Sequence, residues 1–231
     1  MSKKRKSLLQ VLMIFSIICF SLSSTGGVSA EDGQDSIVPV EGDAAAEMVN
    51  TALNAVENGE VDAIAPVSAF GLEESTVYTV GGGVTVVTVP LHGDYSLPSN
   101  ITVFIDENDT VLQTNEMLVT KNEVGNFQVE TYLDGSLVKS EDSGIPYMSD
   151  EELLAEEPSE IQPMGVKAVA ACIGVALGVG GTIAYLIAVA CGGSCVAPTP
   201  VTAPICAACI GAYAVIGTGG IAGVVACFNY L

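Results

Sequence analysis

The sequence predicts an α+β protein, with an N-terminal antiparallel β-meander domain that includes one helix and a small all-α C-terminal bundle tied by disulfide bonds. Three observations predict it. Apolar residues alternate with a period of two through the middle of the chain, residues 166–231 hold a single charge, and that same stretch contains six cysteines. The 231 residues are enough for one or two domains after processing.

Charge divides the chain into three segments. Residues 1–30 hold four basic residues and no acid, residues 31–166 hold 27 acids and two lysines (2 − 27 gives −25), and residues 167–231 hold only Lys167. The sum, +4 − 25 + 1, is the net charge of −20. Such an acidic excess argues against nucleic acid as a partner, because phosphate binding needs clustered Lys or Arg. It would keep an apolar precursor soluble.

Residues 1–30 predict a signal peptide. A basic run, Lys3–Lys6, precedes the apolar run Leu8–Phe20, and the small residues Val28-Ser29-Ala30 follow. The apolar run is shorter than the roughly 20 residues of a spanning helix. We therefore expect signal peptidase to cut between Ala30 and Glu31, which makes the protein secreted and allows disulfide bonds to persist.

Residues 31–142 predict an acidic, β-rich domain. Residues 31–42 are expected to be a flexible lead-in, and Asp43 is expected to cap a helix that runs from Ala44 to Glu57. From Ser75 onward, β-branched and aromatic residues alternate between Gly-, Asn- and Asp-rich turns, which indicates a meander. The expected strands are Val77–Val80, Val84–Val89, Ile101–Ile105, Val111–Thr114, Met117–Thr120, Phe127–Leu133 and Leu137–Lys139.

Residues 143–165 predict a linker. Pro146, Pro158 and Pro163 interrupt it, and the capping box Ser149-Asp150-Glu151-Glu152 predicts a short helix. Exposed, proline-marked chain is where proteases cut. We expect a processing protease to cut between Ser159 and Val166.

The cysteines of residues 166–231 are spaced almost as a mirror image around a proline-rich loop. An even number in a short exported domain predicts disulfide bonds, although six cysteines allow 15 connectivities. Folding the chain back at the loop favours the nested pairs Cys172–Cys227, Cys191–Cys209 and Cys195–Cys206. The four central cysteines have spacings that also suit a zinc site, but export and the two remaining cysteines argue against a metal.

Two apolar stretches, Ala168–Ala190 and Ile205–Phe228, are each long enough to cross a bilayer. A membrane hairpin is therefore the alternative to a compact bundle. Both stretches are rich in Ala and Gly, and Gly180-Gly181 and Gly217–Gly220 are expected to break each into two short helices. The compact bundle is the favoured interpretation.

The C-terminal segment resembles the halocin-C-eight-like bacteriocins in the order of its parts. These are an apolar helix, Cys191-Gly192-Gly193-Ser194-Cys195, a proline loop, Cys206-Ala207-Ala208-Cys209, a second apolar helix and Cys227. The resemblance covers residues 166–231. It implies an antimicrobial peptide that is cut from a secreted precursor and acts at a target-cell membrane or a membrane receptor. It also implies that residues 31–160 are a pro-region or immunity partner. We expect such protection to use an apolar contact, with the alternating faces of Val84–Val89 and Ile101–Ile105.

Signals for catalysis are weak, and the sequence predicts neither an enzyme nor a cofactor. The single histidine, His92, lies in a turn-like segment, and Asp106–Asp109 lacks the glycine of an EF-hand calcium loop. Two hypotheses follow: a bacteriocin precursor, or a cell-surface binding protein anchored by a C-terminal membrane hairpin.

Overall fold

The computed structural model describes residues 38–80, 83–157 and 165–195, together with Cys206, Cys209, Val224, Cys227 and Phe228. Seven strands and four α-helices occupy these residues. In chain order they are β1 (Val38–Val40), α1 (Asp43–Glu57), β2 (Thr76–Val80), β3 (Val84–Pro90), β4 (Asn100–Ile105), β5 (Val111–Lys121), β6 (Asn126–Leu133), β7 (Ser136–Pro146), α2 (Asp150–Ala155), α3 (Val166–Leu177) and α4 (Gly181–Cys195). Two 3₁₀ turns, Val67–Ala69 and Leu72–Glu74, lie between α1 and β2.

The strands form one antiparallel sheet in the order β1-β2-β3-β4-β5-β6-β7. Each strand pairs with its neighbour in sequence, so the expected meander is confirmed. Turn residues adopt the conformations that the tight connections require: Asp109 and Asp134 have φ angles of 60° and 45°. Asn and Asp tolerate this left-handed region better than other side chains do.

One face of the sheet packs against α1. Alternate side chains of β3 and β4 point to this face because side chains along a strand alternate between faces. Helix α1 contributes Ala52 to the core, with Met48 and Val49 packed against its edge. The buried strand and loop side chains of this cluster are Ala65, Val77, Val87, Val89, Leu91, Ile101, Val103, Ile105 and Leu118.

The opposite face of the sheet carries the C-terminal helices. Met117 and Val119 of β5 and Phe127 and Val129 of β6 belong to one buried cluster with α2, α3 and α4. The register pairs Val119 with Val129 and Lys121 with Phe127, so these side chains share one face. The sheet and these helices lie within one compact unit, Asp35–Leu231.

Helices α3 and α4 form a hairpin joined by Gly178–Gly180. Gly178 ends α3 in the left-handed conformation, with φ of 72°, which a residue without Cβ adopts at little cost. Ile183, Leu186 and Ile187 of α4 and Ile173 and Leu177 of α3 are fully buried. The expected break in the first apolar stretch is therefore present, although it begins two residues earlier than predicted.

Four local predictions need correction. Val38–Val40, expected in a flexible lead-in, pairs with β2 as an edge strand. Asp43 does not cap α1: the N-cap is Gly42, and Asp43 is the first helical residue. The two strands expected at residues 111–114 and 117–120 are one continuous strand, β5. Strand β7 extends to Pro146 and so includes the start of the expected linker.

Candidate functional site

Three disulfide bonds join the cysteines of the C-terminal segment: Cys172–Cys227, Cys191–Cys209 and Cys195–Cys206. The Cα–Cα distances are 5.5, 5.8 and 4.8 Å, which suit unstrained bridges. These are the nested pairs favoured by the sequence. Because the four central cysteines are bonded to one another, they do not offer thiolates to zinc. The bonds indicate an oxidising compartment.

The disulfide-bonded helices rest on an apolar strip of the N-terminal part. Met117, Val119, Phe127 and Val129 supply the strip, and each is at most 3 % exposed. Leu153 of α2 is fully buried in the same cluster. These five residues, together with the polar Lys139 and Glu156 described next, are called the docking surface below.

Glu156 caps α4 from a segment 26 residues earlier in the chain. Its Oε2 accepts a hydrogen bond from the Thr182 backbone N–H at 2.9 Å, and its Oε1 accepts one from Thr182 Oγ1 at 3.1 Å. Gly180 is in the N-cap position, since its carbonyl accepts the first helical bond from Ala184. Glycine has no side chain to satisfy the free N–H groups of the first turn, so Glu156 does this instead.

Gly180 also makes room for this contact. A Cβ on Gly180 would overlap Glu156 Cβ and would lie 3.0 Å from the Glu156 carbonyl oxygen. The first contact would require the chain to move, and the second is tighter than most side chains make. The glycine pair expected to break the apolar stretch therefore has a second consequence, which is close approach of the Glu156 segment to the start of α4.

Lys139 contacts the same helix further along. Its Nζ donates to the Val189 carbonyl oxygen at 2.7 Å and lies 2.9 Å from Glu141 Oε2. An anion thus lies at the positive end of α4, and a cation lies toward its negative end, which is the favourable arrangement for the helix dipole. Sequence reasoning missed Glu156 and Lys139; the available signal was a helix start, Gly180-Gly181, that has no polar capping residue.

Tyr147 packs at the edge of the same cluster. Its ring lies 4.9 Å from the Phe127 ring, centroid to centroid, and 5.5 Å from Lys121 Nζ. Lys121 and Lys139 are the two basic residues of the acidic segment. Lys139 therefore contacts α4 directly, and Lys121 lies over Tyr147 at the edge of the cluster that contains the C-terminal helices.

The segments expected to supply this contact pack elsewhere. Apolar residues of Val84–Val89 and Ile101–Ile105 lie in the α1 cluster, or in a small cluster of Val80, Val86 and Phe104. Neither segment therefore lines the contact between the sheet and the C-terminal helices in the intact chain. The reason is strand order: α4 lies nearest to β6 and β7, and the buried side chains of the contact come from β5 and β6, further along the meander.

His92 and the Asp106 turn have local contacts. His92 Nε2 lies 3.2 Å from Glu74 Oε2, and both side chains are more than half exposed. Asp106 Oδ1 accepts hydrogen bonds from the backbone N–H groups of Asn108 and Thr110, at 2.8 and 2.9 Å, and so closes the β4–β5 turn. These bonds lower the pKa of Asp106, that from Thr110 most of all. Among the described residues, no group of three or more metal-ligating side chains converges.

The expected signal-peptidase site at Ala30/Glu31 lies outside the described residues, as do residues 159–164 of the span 159–166 in which the second cut is expected. Within the described part of the chain, no single helix is long and apolar enough to cross a membrane. Helix α3 and Gly181–Gly192 meet that test only as a pair, and the pair is bent by 118°.

No comparison identifies a relative. No protein-family model matches the chain, and neither a curated protein nor a solved structure matches it.

Proposed function

We propose that the chain is a secreted precursor of a bacteriocin-like antimicrobial peptide. Residues 166–231 would form the active, disulfide-tied helical unit, and residues 31–142 the pro-region or immunity domain. The observation that carries the proposal is the docked state of the apolar helices: a helical hairpin whose one charged residue is Lys167, and whose cysteines form three disulfide bonds, packs against buried side chains of β5 and β6 in an acidic segment.

Covering the hairpin gives the producing cell a means of protection. Ile173, Leu177, Ile183, Leu186 and Ile187 are each at most 1 % exposed in the docked state. Burying an aliphatic side chain of this kind is favourable by about 1.5–3 kcal/mol. Once this surface is uncovered, its transfer into another apolar environment is therefore favourable. A membrane, or a receptor within one, offers that environment.

The charge distribution supports the same assignment of a carrier role to the acidic segment and an active role to the C-terminal unit. Acids are confined to residues 31–160, and the C-terminal unit carries only Lys167. An acidic carrier keeps a nearly uncharged, apolar passenger soluble during export. Signal peptidase and a processing protease would then act on the two sides of the carrier.

The test uses the folded, oxidised full chain carrying a site-specific protease sequence within residues 158–164. Cutting and purification yield residues 166–231, which are added to a panel of related and unrelated bacteria. We expect growth inhibition by this peptide and less inhibition by the uncut chain at equal molarity. A peptide that retains its three disulfide bonds but inhibits none of the panel would contradict the proposal.

The second candidate is a surface protein anchored by its C-terminal helices. The observation that favours it is the α3–α4 pair, which has the length and composition of a broken span. Fractionation of the producing cell separates the two hypotheses. A toxin appears in the medium without the β domain, whereas an anchored protein stays with the membranes and keeps its β domain attached.

A further inference from the structure

Helix α4 has few of the features that allow a helix to form alone. It has 15 residues, begins at Gly180-Gly181 without a capping side chain, and has Gly192-Gly193 in its last turns. Neither an acid in the first turn nor a base in the last turn balances its dipole. Isolated helices of this length are marginal in water even in Ala-rich sequences, and glycine and β-branched residues weaken them further.

The docking surface supplies what α4 lacks. Glu156 satisfies the Thr182 N–H in the first turn, Lys139 binds the Val189 carbonyl, and the strip of β5 and β6 covers the apolar side chains. All of these groups lie before residue 158. Besides packing against α3, α4 is therefore stabilised by residues outside the disulfide-bonded segment.

Helix α4 also carries two of the six cysteines. Cys191 and Cys195 are four residues apart, so a helical backbone projects them from one side of the helix. Four cysteines can pair in three ways. The structure has the nested arrangement, Cys191–Cys209 with Cys195–Cys206, rather than the crossed pairing or the local one in which Cys191 bonds Cys195.

From these contacts we propose that residues 38–157 act as an intramolecular template that orders α4 and thereby directs its cysteines to the nested disulfide bonds. Each protein disulfide forms by exchange with a small disulfide such as oxidised glutathione. Two protein thiols are oxidised, a mixed disulfide is the intermediate, and two glutathione thiols leave in reduced form. This folding role adds to the proposed function and does not depend on any killing activity.

The first test is oxidative refolding of the reduced, unfolded full chain in a glutathione buffer. Samples are quenched by alkylation at intervals, and disulfide pairs are mapped by mass spectrometry. Glu156→Ala, which removes both acceptor oxygens, is compared with Glu157→Ala at an exposed neighbour one residue away. Replacing a helix cap by Ala reduces the helix population by about 2-fold to 30-fold, so we expect Glu156→Ala to slow nested pairing within that range.

The crossed and local isomers should accumulate in Glu156→Ala while Glu157→Ala behaves as the wild type. Thr182→Val, which removes the hydroxyl but keeps the N–H, should shift the isomers in the same direction by a smaller factor. Combining it with Glu156→Ala should add little, because Glu156→Ala already removes the bond to the Thr182 hydroxyl. Equal isomer distributions in Glu156→Ala and Glu157→Ala would overturn the role of Glu156.

The second test asks whether the template must be attached. The full chain is cut within residues 158–164 after folding, and the nicked and intact proteins are reduced and reoxidised over a range of dilutions. In the intact chain, the effective concentration of the template near the cysteine segment is set by the linker and does not change on dilution. In the nicked protein, it falls with the protein concentration. We expect the nested yield to fall on dilution only for the nicked protein. A nested yield that is high and independent of dilution for both proteins would refute the template. If nested pairing needs the tether but the resulting peptide inhibits no growth, the proposed function is contradicted and the template role is supported.

Discussion

Glu116 is the buried acid of the sheet. It is 3 % exposed, and its two carboxylate oxygens accept hydrogen bonds from the backbone N–H groups of Ile64 and Ala65, both at 2.7 Å. Burial raises the pKa of Glu116, and the two hydrogen bonds oppose this shift without cancelling it. The same charge contributes to the raised pKa values of Tyr95 and Tyr132, although burial is the larger cause for both. Glu116 thus fixes the segment that follows α1 at some cost in desolvation.

A pH dependence of stability follows from Glu116. The folded state holds the proton more tightly than the unfolded state, whose pKa is near 4.5. As pH rises from that value through the folded-state pKa, the wild type should lose stability relative to Glu116→Gln, which does not titrate. The measurement is urea unfolding of both proteins across this range, with Glu123→Gln, an exposed acid on the β5–β6 turn, as the control. A difference between wild type and Glu116→Gln that is constant with pH would contradict the assignment.

Two exposed acids have pKa shifts in the opposite direction to that of Glu116. Hydrogen bonds from the Gly144 N–H and the Asn126 side chain lower the pKa of Asp142, and the Ser149 N–H lowers that of Glu152. The stability that these two acids contribute is present above their pKa in the unfolded state. It is lost as pH falls through their lower pKa in the folded state. Comparing Glu116→Gln with Glu123→Gln cancels these terms, because both variants keep them.

Helix α2 connects the sheet to the C-terminal helices. Ser149 and Glu152 form the expected capping box, and Asp150 Oδ1 accepts a hydrogen bond from the Leu97 N–H. Leu153 is fully buried in the cluster that contains residues of α3, α4, β5 and β6, whereas Leu154 is 61 % exposed. These two neighbours provide a matched pair for measuring the contact.

Leu153→Ala should destabilise the protein by about 2–5 kcal/mol, because it leaves a cavity between α2 and the C-terminal helices. Leu154→Ala should change the free energy of unfolding by no more than about 0.5 kcal/mol, as exposed substitutions usually do. Denaturant unfolding at neutral pH measures both. Similar values for the two variants would mean that α2 does not hold the C-terminal helices.

Helices and strands could be predicted from the sequence wherever the pattern that defines them lies within a few neighbouring residues. Six of the seven strands have alternating residues between turn residues, and the capping box fixed the start of α2. Val38–Val40 was missed because three residues carry too little pattern. Asn115 and Glu116 lay between two expected strands; the continuity of β5 through a buried acid is explained only by the loop whose N–H groups pair with Glu116.

The docking surface could not be predicted from the sequence for a different reason. Periodicity indicates which residues are buried but not what covers them, so the faces of β3 and β4 were as plausible a partner for the helices as those of β5 and β6. Similarly, Glu156 lies in an acidic run with Glu151, Glu152 and Glu157, and nothing local separates it from its neighbours. The nested disulfide bonds could be predicted because mirror-image spacing around a loop is itself a topological signal.

For the whole molecule, the disulfide that closes the longest loop should contribute most. In the chain-entropy model, Cys172–Cys227, which spans 55 residues, stabilises by about 4 kcal/mol, and Cys195–Cys206, which spans 11, by about 3 kcal/mol. We expect the double variant Cys172→Ala/Cys227→Ala to lose more stability than Cys195→Ala/Cys206→Ala. Urea unfolding under non-reducing conditions checks the order, and the reverse order would contradict it.

Salt should have little effect on the action of the C-terminal unit or on its neutralisation. The unit carries one lysine and no acid, so attraction to anionic lipid contributes little, in contrast to cationic antimicrobial peptides. The charged contacts of the docking surface are short bonds to backbone groups, and partly buried pairs are screened much less than exposed ones.

We therefore expect killing by residues 166–231, and protection by added residues 31–160, to be nearly the same at about 0.05 and 0.5 M salt, between which the Debye length falls well below 10 Å. A cationic antimicrobial peptide assayed in parallel should lose potency over the same range. Protection that disappears at high salt would refute an apolar docking surface and would assign neutralisation to the −25 charge of residues 31–166 instead. Killing that disappears would point to an anionic lipid or receptor, with Lys167 as the contact to replace first.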